Sequence, residues 1–256
     1  MRASVRAVWP TFTQSFEGAV PFMYLDRKGL VTTAYGNLID SPDAAALYPW
    51  RRPDGSLADR SEVEEAWQAV KAAQDRAPNG GGTFGDLTSL RLDNDALETA
   101  LFVKTDENDV VLHERFPALD SWPADAELGL HSMAWALGPN FTFPKFQAAA
   151  NAAFPDFRAM ANESHIQDSG DGALARRNLT NATLFGNAAS ALERGSDPNN
   201  ISWTGGQASF SPPSYAQRPS PLPATRAPNP VLLGVILASI VGCGYLLYHF
   251  RERDAT

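Results

Sequence analysis

The chain has 256 residues, 44% of them hydrophobic, and a formal net charge of −8, with the acidic excess concentrated in residues 1–203, where 17 Lys and Arg face 27 Asp and Glu. That balance excludes nonspecific nucleic-acid binding and long-range attraction to anionic polymers. Cys243 has no partner and His113, His131, His165 and His249 are scattered, so zinc-ligand spacing is absent and no metal or organic cofactor is expected.

At the N-terminus, MRASVRAVWPTF lacks the apolar core of a secretory signal. Thr11 to Gly18 has helical spacing, with Phe12 and Phe16 four apart and Gly18 where the helix should stop. Glu17 therefore falls at a helix C-terminus, where the dipole disfavours a carboxylate and favours the protonated form. Next come Met23 to Leu25, a turn at Asp26-Arg27-Lys28-Gly29, and Leu30 to Tyr35. This reads as a hairpin with Asp26 at its turn and Thr32 on its second strand.

Eight residues separate Glu17 from Asp26, and five separate Asp26 from Thr32. Two carboxyl groups and a hydroxyl spaced this way suit hydrolysis of a glycosidic bond. One carboxyl must be protonated to donate to the leaving oxygen, the other ionised to assist water or stabilise charge, and a hydroxyl can anchor that water.

Farther along, Ser61 and Glu64 form a capping-box pattern opening the helix SEVEEAWQAVKAAQDR. Helices are also expected over Leu92–Asp106 and Phe146–Phe154, and Asn79-Gly80-Gly81-Gly82 is a loop without the Gly-Lys-Ser/Thr of a phosphate cradle. Thr204 to Pro230 holds seven prolines in 27 residues and reads as an exposed, semi-rigid linker, on the order of 80 Å if polyproline-like. Val231–Phe250 carries no Lys, Arg, Asp or Glu over twenty residues, enough to span a bilayer, with Tyr245, Tyr248, Arg251 and Arg253 toward its end. Gly234, Ala238 and Gly242 recur every fourth residue and offer a surface for helix–helix self-association in the membrane. Arginines flank this span evenly, so the charge rule assigns no orientation.

Glu17-Gly18, Tyr24-Leu25-Asp26, Gly29 and Thr32-Thr33-Ala34-Tyr35-Gly36 follow an order and spacing that resembles the phage-type lysozymes, family 24 of the glycoside hydrolases. AELGLHSMAWALGP (Ala126 to Pro139) is similar to that family's helix ending in Phe-Asn-x-Gly, and GALARRNLTNATLFG (Gly172 to Gly186) resembles its C-terminal double-arginine segment. Ala34 stands where the family has glycine, Ala136 where it usually has asparagine, and no glutamate follows Arg176-Arg177 at the usual place. Relative to the family, residues 41–87 look like an insertion in the small lobe, one that shapes the cleft or, the reading preferred, decorates the lobe.

The resemblance implies an α+β, mostly α-helical, lysozyme-like two-lobed domain with a small β-hairpin over 1–203, followed by the 204–230 linker, one transmembrane helix over 231–250 and a polar tail over 251–256. It further implies Glu17 as general acid, Asp26 as the charge-stabilising, water-positioning carboxylate and Thr32 as the second water anchor. The substrate implied is bacterial peptidoglycan, cut between N-acetylmuramic acid and N-acetylglucosamine. With the anchor in a lipid membrane, the expected setting is a phage protein of the virion membrane or host cell envelope, acting in entry or lysis. Two alternatives stand beside it: a lytic transglycosylase, which needs only the acid, and a non-catalytic glycan-binding or structural virion protein.

Overall fold

The computed structural model describes residues 1–167 and 174–204. The expected linker beyond Thr204, the span 231–250 and the Gly234, Ala238 and Gly242 surface lie outside the described residues. Among the described residues no helix is long and apolar enough to cross a membrane. The described residues have an α+β architecture, with eight α-helices and one three-stranded antiparallel sheet in the order β1-β2-β3. The described residues divide into two compact units, 1–18 with 104–204, and 19–103.

In the first unit, helix α1 (Ala3–Glu17) runs eight residues farther upstream than its periodicity predicts, through Pro10. Proline removes one helical hydrogen bond. Burial of Val5, Trp9 and Phe12, and the bond from the Trp9 indole to Thr105 Oγ1 at 2.7 Å, outweigh that loss. Helix α4 (Asn94–Arg115) contributes its second half here, and α5 (Ala124–Leu137) is buried from Ala124 through Trp135. A helix covered on all sides has no polar stripe, and Asp125, Glu127 and His131 are buried along with its apolar residues. Helices α6 (Pro144–Ala150), α7 (Phe157–Glu163) and α8 (Ala175–Glu193) complete the unit. Helix α6 stops four residues before Phe154, which is 89% exposed and precedes Pro155. The core joins Phe116, Trp122, Met133, Phe146, Phe157 and Phe185, with edge-to-face ring pairs such as Phe146–Phe185 at 5.3 Å.

The last described stretch closes on this unit. Pro198 O accepts from Ala124 N at 2.7 Å, Ser202 N donates to Asp125 Oδ1 at 2.9 Å, and Trp203 meets Phe12 edge-on at 5.1 Å. Arg2 ties the same region together, donating to Glu127 at 2.7 Å and to Pro198 O at 3.2 Å.

In the second unit, β1 (Val20–Leu25) pairs with β2 (Val31–Ala34) in the register Tyr24↔Thr32 and Leu25↔Val31. A short β3 (Asn37–Leu38), not expected from sequence, pairs Thr32↔Leu38 on the other edge of β2. Ala34 occupies the left-handed region at φ +51°, so alanine holds a conformation that favours glycine, at a cost of about 1–2 kcal/mol.

Helix α2 (Pro42–Ala46) and α3 (Arg60–Ala72) occupy the stretch expected to be decorative. It is instead part of the core: Val63, Ala66, Val70, Ala77 and Phe84 are buried, and α3 packs against β1 and β2. The capping box also moves upstream. Asp59, not Ser61, caps α3, accepting from Glu62 N at 3.1 Å while Glu62 reaches back to Asp59 N at 2.8 Å. Arg52 holds Glu62 in place at 2.5–2.8 Å, and Ser61 donates to Asp59 instead of capping.

Candidate active site

Glu17 is the last residue of α1. Gly18, at φ +73°, ends the helix and donates its N–H to Gln14 O at 2.9 Å. The Glu17 side chain is 29% exposed and is met by Arg177 of α8, whose Nη2 donates to Oε1. Arg177 is nearly fully buried, and its Nη1 donates to Ser132 O on α5 at 3.1 Å. Burial pulls the Arg177 pKa down, and the Glu17 charge counters that pull. Both Arg176 and Arg177 lie over the Phe16 ring, at 4.4 and 4.6 Å.

A second cation stands nearby. The Lys104 ammonium lies 4.2 Å from the Trp135 ring centroid, and burial lowers its pKa against the opposing charges of Glu17 and Glu107. Burial likewise raises the Glu107 carboxyl, with Lys104 opposing, and Glu107 Oε1 is buried without a hydrogen-bond partner among the described residues. The end of α1 is thus a carboxyl group set among cations and aromatic rings.

Asp26 and Thr32 lie together in the second unit. Asp26 follows β1, and its Oδ1 accepts from Lys28 N at 2.8 Å and Leu30 N at 2.9 Å, the pattern of an Asx turn. The main chain closes the same turn through Gly29 N to Asp26 O and Asp26 N to Leu30 O, both 2.9 Å. Thr32 sits in the middle strand opposite Tyr24, is 4% exposed, and donates its hydroxyl to Leu30 O at 3.1 Å. Strand alternation puts Tyr24 and Thr32 on one face, and Asp26 has the same parity. The structure brings these two candidates onto one hairpin, while Glu17 belongs to the first unit.

No protein-family model, curated protein or solved structure matches the chain.

Sequence reasoning missed Arg177 as the partner of Glu17, although the Arg176-Arg177 pair was the visible signal. Lys104 carried no signal, because its setting depends on Trp135, thirty-one positions away. Asn178, which follows the double arginine, has a structural duty: its amide both accepts from Ile166 N and donates to Ile166 O, each at 2.8 Å.

Proposed function

We propose that this protein is a peptidoglycan hydrolase of the muramidase type, cleaving the β-1,4 bond between N-acetylmuramic acid and N-acetylglucosamine. The observation that carries this reading is a partly exposed glutamate ending a helix at a left-handed glycine, followed at once by a hairpin whose turn carboxylate and strand threonine meet on one residue, Leu30. Glu17 donates a proton to the leaving oxygen. Asp26 stabilises positive charge at the sugar carbon and helps orient water, with the Thr32 hydroxyl as a second anchor. Arg177 holds the Glu17 carboxyl in one place between turnovers. Such an enzyme inverts configuration when its carboxyl groups stand about 6.5–9.5 Å apart.

We further propose anchoring through residues 231–250, in a phage protein acting at the envelope in entry or lysis. An acidic catalytic region gains no concentration from charge attraction to wall polymers, and tethering would supply it.

One observation favours a second reading. Oδ1 of Asp26 is taken up by its own turn and Thr32 is buried, which suits a lytic transglycosylase that needs only the acid.

Digestion of purified peptidoglycan by the full chain, wild type beside Glu17→Gln, with products identified by mass, tests both. Reducing muramic-acid ends from the wild type alone are expected. Anhydro ends would shift the assignment to the transglycosylase, and equal activity of Glu17→Gln would remove Glu17 as the acid. No cleavage by a folded wild type would overturn the enzymatic reading.

A further inference from the structure

The Asp26 turn is shaped by its own hydrogen bonds, but those bonds do not fix it against the rest of its unit. That attachment comes from α3. Lys71, in the last turn of α3, donates from Nζ to Gly29 O at 2.9 Å and to Asp40 Oδ1 at 2.8 Å. The same Asp40 oxygen accepts from Val31 N at 2.9 Å. Gln74 adds a 3.3 Å bond from Nε2 to Gly29 O and a 2.9 Å bond to Lys71 O. The approach is close: a Cβ on Gly29 would sit 2.3 Å from Gln74 Oε1, and Gly29 is at φ +74°.

Leu30 lies between the two braced residues and is the junction of both candidate groups. Its N–H holds Asp26 Oδ1, and its carbonyl accepts from Asp26 N and from the Thr32 hydroxyl. Lys71 fixes Gly29 directly and Val31 through Asp40, so it constrains the peptide units on either side of Leu30. A slip of Gly29 or Val31 moves the amides that orient the Asp26 carboxylate and the carbonyl that orients Thr32.

We propose that Lys71 is a positioning residue for Asp26 and Thr32, with Asp40 and Gln74 completing the brace. Part of the segment between residues 41 and 87 thereby sets the geometry of the water-handling pair. This rests on the muramidase reading. A group held through two successive hydrogen bonds loses precision before it loses stability, and small misplacement of a reacting group is costly in rate.

The test is Lys71→Met in the full chain, with Lys71→Arg as the conservative variant, read by steady-state kinetics on peptidoglycan and by amide hydrogen exchange. In Lys71→Met the Leu30 and Lys28 amides should exchange about tenfold faster, the effect of one ordinary hydrogen bond. The Met133 amide in the other unit should keep its rate. The turnover number should fall on the order of 10–100-fold with KM within about twofold, and Lys71→Arg should recover most of it. Faster Leu30 exchange with an unchanged turnover number would overturn the positioning role, and unchanged exchange would overturn the brace. If Lys71→Met does not fold, Gln74→Ala removes one bond to the turn and one to Lys71 O, and should show the same two changes at about two- to threefold; no change in either sinks the proposal. A wild type that folds but cuts nothing would end the muramidase reading and the catalytic role with it, and Leu30 exchange would then decide the brace alone.

Discussion

The two units hold their candidate carboxyl groups in opposite ways. Glu17 is held by a residue 160 positions away, through a full charge drawn from a buried setting. Asp26 is held by amides two and four positions away, through neutral donors of its own turn. The lesson is that a long-range ion pair makes the Glu17 setting depend on the packing of α1, α5 and α8, whereas the Asp26 setting is local and needs only an external brace to be exact in space.

Substitutions at four positions test this contrast. Arg177→Met removes the buried cation and should cost about 3 kcal/mol, at the low end of the range for breaking a buried pair because Glu17 is partly exposed. A loss under about 1 kcal/mol in urea unfolding would class the pair with ordinary surface bridges and erase the contrast. Asp26→Ala should cost about 1–2 kcal/mol for two lost turn bonds, and Asp26→Asn about half of that, since an amide oxygen still accepts. Equal losses from Ala and Asn would mean that charge, not local hydrogen bonding, holds the turn.

The third concerns pH and the first unit alone. Burial pulls the His113 pKa down, but hydrogen bonds to Asp109 O at 2.8 Å and Asp120 Oδ1 at 3.0 Å, with the charges of both aspartates, prevail and raise it above 6.5. A raised folded value stabilises the protonated form. That stability is fully present below the unfolded value of 6.5 and is lost as pH rises through the folded one. The wild type should therefore gain stability over His113→Gln as pH falls from 8 toward 6, levelling off below; a flat difference in urea midpoints contradicts the assignment. The smallest effect is expected at Ala34→Gly. Relief at φ +51° of about 1 kcal/mol is offset by the loss of a fully buried methyl and by glycine's greater chain entropy. Thermal unfolding should place the variant within about 0.5 kcal/mol of wild type, and a larger change of either sign would show that one of those terms dominates.

What was legible in the sequence was legible for local reasons. The Asp-Arg-Lys-Gly turn between β-formers specified the hairpin, and Glu-Gly specified the end of α1, because both are decided within a few residues. The start of α1 was not, since Pro10 argues for a break and only the burial of Val5 and Trp9 overrides it. Asp59–Glu62 and Ser61–Glu64 are equally good capping patterns, and Arg52 decides between them by holding Glu62. The two residues of β3 carry too little pattern to read. The setting of Glu17 was hidden for a different reason: Arg177, Ser132 and Lys104 converge on it only through tertiary packing.

The first unit is built from two segments with 19–103 inserted between them. During synthesis, α1 emerges with Val5, Trp9 and Phe12 bare, and their partners, His131 and Trp135 of α5 and then Trp203, come much later. At about 5–20 residues per second, the interval between Glu17 and Arg177 is roughly ten to thirty seconds. Residues 19–103 are continuous and can pair their strands and dock α3 within that interval. Glu17 is thus made before Asp26 and Thr32, whereas the arginine that holds it is made after both.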